Sequence, residues 1–108
     1  MCVFCKIVNK EISTEILDTN EVGIIIRAKD PAATRHYLAI GRHCDPDIHA
    51  TCQRDFVHAG RMLSLATHFA NINLPEGYRI VTNVGSDSGQ TMKHLHFHIL
   101  GGEKLKDI

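Results

Sequence analysis

The chain has 108 residues, 44% hydrophobic and 22% charged, a composition that excludes disordered and fibrous chains and fits one globular domain over residues 1–108. Lys plus Arg balance Asp plus Glu at 12 each and neither sign runs in a block, so the footprint of a nucleic-acid or membrane-surface binder is missing and a small-molecule ligand fits better. The longest apolar run, Val22 to Ile26, is far short of a membrane span, and Met1-Cys2-Val3-Phe4-Cys5-Lys6 does not build a signal peptide, so a cytoplasmic protein is expected.

In a reducing compartment four cysteines are poor disulfide candidates. Cys2 and Cys5 therefore read as metal ligands or a redox pair, and Cys44 and Cys52 as buried thiols. Ile16-Leu17 and Val22 to Ile26 read as two short strands around the polar break Asp18-Thr19-Asn20-Glu21, which suits a hairpin. Lys29-Asp30-Pro31 ends the pair, and His36 to Ile40 is the next strand, closed by Gly41. Asp45-Pro46 offers a helix cap followed by proline at the first helical position, which predicts a short helical turn near Asp47 to Ala50.

From about Gln53 to Phe69, Phe56, Ala59, Leu63, Ala66 and Ala70 keep helical spacing, and Met62, Leu65 and Phe69 form a second stripe beside them. Either the helix is buried on a broad face or the second stripe meets a partner subunit, the expectation being a homodimer. Asn71 to Pro75 stops the helix, Tyr78 to Asn83 alternates like a strand, Gly85 to Gln90 is a turn-rich loop, and Leu95 to Leu100 is the last strand. The expected class is α+β: an antiparallel sheet of about five strands, one main helix and a short helical turn.

The densest chemistry lies in His94-Leu95-His96-Phe97-His98-Ile99-Leu100. Strand periodicity puts the three imidazoles on one face and Leu95, Phe97 and Ile99 on the other, with adjacent histidines about 7 Å apart at the backbone. Three readings are open: a half-polar strand facing water, a His-x-His metal pair lacking further ligands, or an imidazole nucleophile held in one tautomer by a bond to its other nitrogen. The third uses the adjacent loop, where Gly85, Gly89 and small hydroxyl residues let backbone N–H groups approach a phosphate. The same loop also suits an ordinary hairpin connection.

Asn83-Val84-Gly85-Ser86-Asp87-Ser88-Gly89-Gln90-Thr91, followed by His94 to Gly102, resembles the signature of the histidine-triad nucleotide-binding hydrolases, close to their Hint branch. Cys2 to Ile7 and His36 to Ile40 extend the resemblance, more loosely, over nearly the whole chain. It implies a HIT-like fold and a two-step displacement on the α-phosphate of a nucleoside phosphoramidate or similar adenylylated compound. His96 matches the family's nucleophile, His98 the histidine that contacts phosphate oxygen, and Thr91 a hydroxyl near the leaving group. Asn83, Gly89 and Gln90 match positions lining the nucleotide site. A regulatory module that binds purine nucleotides without turnover, or a metallohydrolase using His94 and His96, are the rivals.

The resemblance also implies a structural zinc, because many bacterial members pair Cys-x-x-Cys with a distant histidine and the first triad histidine. Here that gives Cys2, Cys5, His43 and His94, with His49 or Cys44 able to replace His43 in a loop rich in ligands; a catalytic metal is not expected. One departure concerns Ala28, which aligns where many members carry an aspartate bonded to the ribose hydroxyls. His36, His58 and His68 have no motif around them and receive no role.

Overall fold

The computed structural model describes residues 2–108. Its helices are α1 (Val3–Val8), α2 (Ile48–Arg54) and α3 (Phe56–Asn73), and its strands are β1 (Asp18–Thr19), β2 (Gly23–Arg27), β3 (Arg35–Gly41), β4 (Tyr78–Val81) and β5 (His96–Gly101). The strands form one antiparallel sheet in the order β1-β2-β3-β5-β4. This is the α+β class expected from the sequence, with two helices where a short turn and a chain terminus were foreseen.

The β1–β2 turn is set by Asn20, whose side-chain oxygen accepts from the N–H groups of Val22 and Gly23, both at 2.9 Å. Gly23 also lets α3 approach, because a Cβ there would lie 2.7 Å from Met62 Sδ. Asp47 caps α2 by accepting from Ala50 N–H, and Asp55, extended at φ −166°, caps α3 by accepting from Val57 and His58 N–H. The long helix therefore starts at Phe56 rather than Gln53: a capping aspartate divides what the apolar spacing alone reads as continuous.

Each face of the sheet carries its own core. On one, α3 lays Met62, Leu65, Ala66, Phe69 and Ala70 over Ile25, Tyr37, Ala39, Leu95, Phe97 and Ile99. Fully burying a large apolar side chain stabilises the fold by about 1.5–3 kcal/mol, so this layer dominates. The helix's buried stripe is thus Ala59, Met62, Leu65, Ala66, Phe69 and Ala70, whereas Phe56 and Leu63 are exposed. Met62, Leu65 and Phe69 serve the core and not a partner, since at 100° per residue they flank Ala59 and Ala66. The opposite face is covered by α1, whose Phe4 joins Ile24, Ile26 and Ile40, with Ile7, Val8, Leu38 and Met92 around them. Among the described residues no helix is long and apolar enough to cross a membrane.

Candidate functional site

Strand β5 points Phe97 and Ile99 into the α3 layer and leaves His96 and His98 half-buried on the α1 face. Their rings lie 5.1 Å apart. His94 precedes the strand and is fully buried, its ring edge-on to Phe4 at 5.8 Å between centroids. Its Nε2–H donates to the Gly41 carbonyl at 2.6 Å, which leaves the Nδ1 lone pair facing Cys2 Sγ at 3.2 Å and Cys5 Sγ at 3.4 Å. Both nitrogens of His94 are committed away from His96, which argues against a metal shared by those two.

The His94 backbone has a separate contact. Its carbonyl accepts from His96 Nδ1–H at 2.8 Å, placing the neutral ring's lone pair on Nε2. Phe4 packs edge-on against His96, 4.9 Å between centroids, and Thr82 donates its hydroxyl to the His96 carbonyl. The nitrogen left without a partner is Nε2.

His98 is fixed through His36, a residue the sequence reading left without a role. Ala32 N–H donates to His36 Nδ1 at 2.9 Å, so neutral His36 carries its proton on Nε2, which lies 2.9 Å from His98 Nδ1. That proton is donated to His98, whose own proton must then sit on Nε2, free to donate to an anion. Burial, with His96 and His36 beside it, pushes the His98 imidazole down to about 4, and burial also lowers His36; both rings are neutral at pH 7. Strand register pairs Leu38 with His98 and His36 with Leu100, making the two histidines diagonal neighbours. No motif in the sequence reports that register, although the alternation of His36, Leu38 and Ile40 does place His36 on one face with them.

The loop before β5 folds into a single 3₁₀ turn, Ser86–Ser88, between Gly85 at φ 83° and Gly89 at φ 88°, backbone that glycine adopts without strain. Asn83 donates to the Ser88 carbonyl, Gly85 N–H donates to the Gln90 side chain, and Gln90 donates to the Pro46 and Met92 carbonyls. The N–H groups of Ser88, Gly89 and Gln90 return to loop carbonyls, so these donors hold the loop's shape. Thr91 is exposed, and among the described residues no hydrogen bond holds its hydroxyl.

The second cluster is Cys2, Cys5, Cys44 and His94, whose ligand atoms all lie within 4.8 Å of one another. Cys44, exposed rather than a buried thiol, takes the place given to His43; Cys52 is exposed as well. His43 turns to the other side of its loop, where its Nδ1 lies 3.1 Å from Asp45 and its ring meets His58. Asp45 N–H donates to the His43 carbonyl at 2.9 Å, a tight turn with Cys44 at its centre, and it is Cys44 whose sulfur joins His94. Asp45 is a buried anchor: Arg54 donates to both its oxygens, Thr51 to one, and its backbone carbonyl accepts from Leu95 N–H. Although burial opposes ionisation, Arg54 and Thr51 hold the Asp45 carboxyl below its usual range.

Three thiols and one imidazole are a donor set for a tetrahedral thiophilic ion, whose edges would be roughly 3.5–3.8 Å. The Cys2–Cys5 sulfur separation is 3.4 Å, close to that, and the bare Nδ1 of His94 is the lone pair a metal requires. Burial and the neighbouring Cys44 and Cys2 thiols push the Cys5 thiol up to about 11, so this many sulfurs become anionic together only around a cation. The residues fit a structural metal site, with Cys2 also capping α1 by accepting from Cys5 N–H.

A family model described as scavenger mRNA decapping enzyme C-terminal binding matches residues 1–106. A HIT-like protein of Synechococcus elongatus is 34% identical over 95% of this chain and 91% of its own length, and one from Synechocystis is 33% identical over 93% and 89%. Among solved structures, a HIT family hydrolase from Clostridium thermocellum superposes with a TM-score of 0.90 at 32% identity, covering 99% of this chain and 95% of that one. A HIT family hydrolase from Legionella pneumophila also gives 0.90, at 30% identity over 98% and 96%. With the fold, the histidine cluster and these matches in agreement, this chain belongs to the histidine-triad family.

Proposed function

We propose that this protein is a nucleotidyl hydrolase of the Hint type, cleaving nucleoside phosphoramidates or related adenylylated compounds through a nucleotidyl group carried on His96. The observation that carries the reading is the pair of fixed tautomers: His96 offers an Nε2 lone pair and His98 an Nε2–H on the same face of the sheet. In the first step His96 Nε2 bonds to the α-phosphorus while the phosphorus–nitrogen bond breaks, and the leaving amine takes a proton with help from the Thr91 hydroxyl. His98 donates to a non-bridging oxygen as charge grows there. In the second step water attacks the same phosphorus, His96 departs, and a nucleoside monophosphate is released. Asn83, Gly89 and Gln90 line the nucleotide side.

The metal in this reading is zinc, bound by Cys2, Cys5, Cys44 and His94, and its work is to tie α1 to the sheet. A homodimer in the cytoplasm completes it; Phe56, Val57 and Leu63, exposed on α3, support the self-association. Mass spectrometry of the protein mixed with a panel of nucleoside phosphoramidates tests the covalent step. The expected outcome is a nucleotidyl adduct mapping to His96. Substrate turnover with no adduct under rapid quench, or an adduct on another residue, rejects the reading.

A further inference from the structure

The three sulfurs of the metal cluster are not equally sheltered. His94 is fully buried and Cys2 and Cys5 are partly covered, whereas Cys44 is exposed and closes the cluster from the solvent side. Its sulfur lies within 4.8 Å of those of both Cys2 and Cys5, and those two sulfurs are themselves 3.4 Å apart. A thiol that water can reach, with a second sulfur close at hand, is the arrangement in which oxidation ends as a disulfide and not as an over-oxidised acid.

We propose that Cys44 is a modification site for hydroperoxides, and that its oxidation ejects the metal; this rests on the zinc reading above. The Cys44 thiolate attacks one peroxide oxygen, the O–O bond breaks, and with one proton the products are a Cys44 sulfenic acid and water (or an alcohol, from an alkyl hydroperoxide). A Cys2 or Cys5 thiolate then attacks the Cys44 sulfur, and with a second proton the sulfenic oxygen leaves as water. Two thiolates have lost two electrons in all, and the peroxide has taken them. The ion keeps one thiolate and His94, too few donors for a closed tetrahedral site, and α1 is released from its tether. Exposed Cys52, on α2 and outside the cluster, has no sulfur partner in it and gives an internal comparison.

The test uses zinc-loaded protein and hydrogen peroxide, following free zinc with a chromogenic chelator and disulfides by peptide mass mapping. One zinc should leave per disulfide formed, the disulfide should join Cys44 to Cys2 or Cys5, and thiol reductant with added zinc should reverse both. Cys44→His keeps four ligands and should slow peroxide-driven release by about tenfold or more, while Cys52→Ser should behave as the unmodified protein. Zinc that stays bound under peroxide, or leaves while Cys44 remains a free thiol, overturns the inference and spares the zinc reading. The mapping on unmodified protein decides this even where Cys44→His folds poorly. Protein that holds no metal when isolated overturns both.

Discussion

At His96 the Nδ1 proton is committed to a backbone carbonyl, so the side chain's contribution is one free nitrogen. His96→Ala should abolish turnover and leave nucleotide affinity within about tenfold, measured by calorimetry beside steady-state rates. His36 acts one step further away, by setting which nitrogen of His98 holds the proton. His36→Leu should lower kcat about ten- to a hundredfold with little change in KM, and His36→Asn, whose amide can still donate to His98 Nδ1, should recover part of it. Equal losses in both variants would mean that His36 only fills space. At Ala28 no carboxylate is available to accept from ribose hydroxyls, and each such charge-assisted bond is worth roughly 1.5–3 kcal/mol. The kcat/KM ratio of ribose to deoxyribose substrates should be small, and Ala28→Asp should raise it by about tenfold or more. A large ratio that Ala28→Asp does not change would assign the reading to another residue, Asp30 being two positions away.

Among the elements, α1 was the least legible in the sequence. Phe4, Ile7 and Val8 keep the i, i+3, i+4 spacing, but six residues hold less than two turns of it, and the contact of Cys2 and Cys5 with a histidine some ninety positions away completes what organises them. The apolar alternation around His96 and His98 was readable because period two fixes which face each side chain takes. The partner in the Cys44 loop was not, since His43 and Cys44 are adjacent candidates and what occupies His43 is a tertiary feature, its pairing with an Asp45 that Arg54 holds. For the same reason α1 depends on its tether: Cys5→Ser should lose bound zinc and several degrees of melting temperature, with a smaller loss of turnover at temperatures where the fold persists. Unchanged melting would show that Phe4 packing alone holds the helix.

For the molecule as a whole, pH acts through imidazoles kept neutral by the fold. An unfolded chain protonates His98 below about 6.5, whereas the folded chain resists until about 4. Stability from this group is therefore complete above pH 6.5 and drains away as pH falls toward 4, by an amount on the order of 1–2 kcal/mol once the solvent reaching the ring is allowed for. Urea midpoints between pH 7 and 4.5 should fall less steeply in His98→Asn than in the unmodified protein. Light scattering at micromolar concentration should give twice the chain mass, and a monomer there removes the dimer.

His94 performs two tasks through chemically separate parts: its imidazole belongs to the sulfur cluster and its peptide carbonyl to His96. The second task is blind to the side chain. A lineage could therefore discard the sulfur cluster without disturbing His96, provided that something else satisfies the Gly41 carbonyl now bonded to His94, a debt of about 1–3 kcal/mol if left open. A glutamine or asparagine at position 94 facing apolar residues at 2, 5 and 44 is the simplest such solution, and it gives a designer a way to build this fold without its sulfur cluster, Cys52 being left as the one thiol.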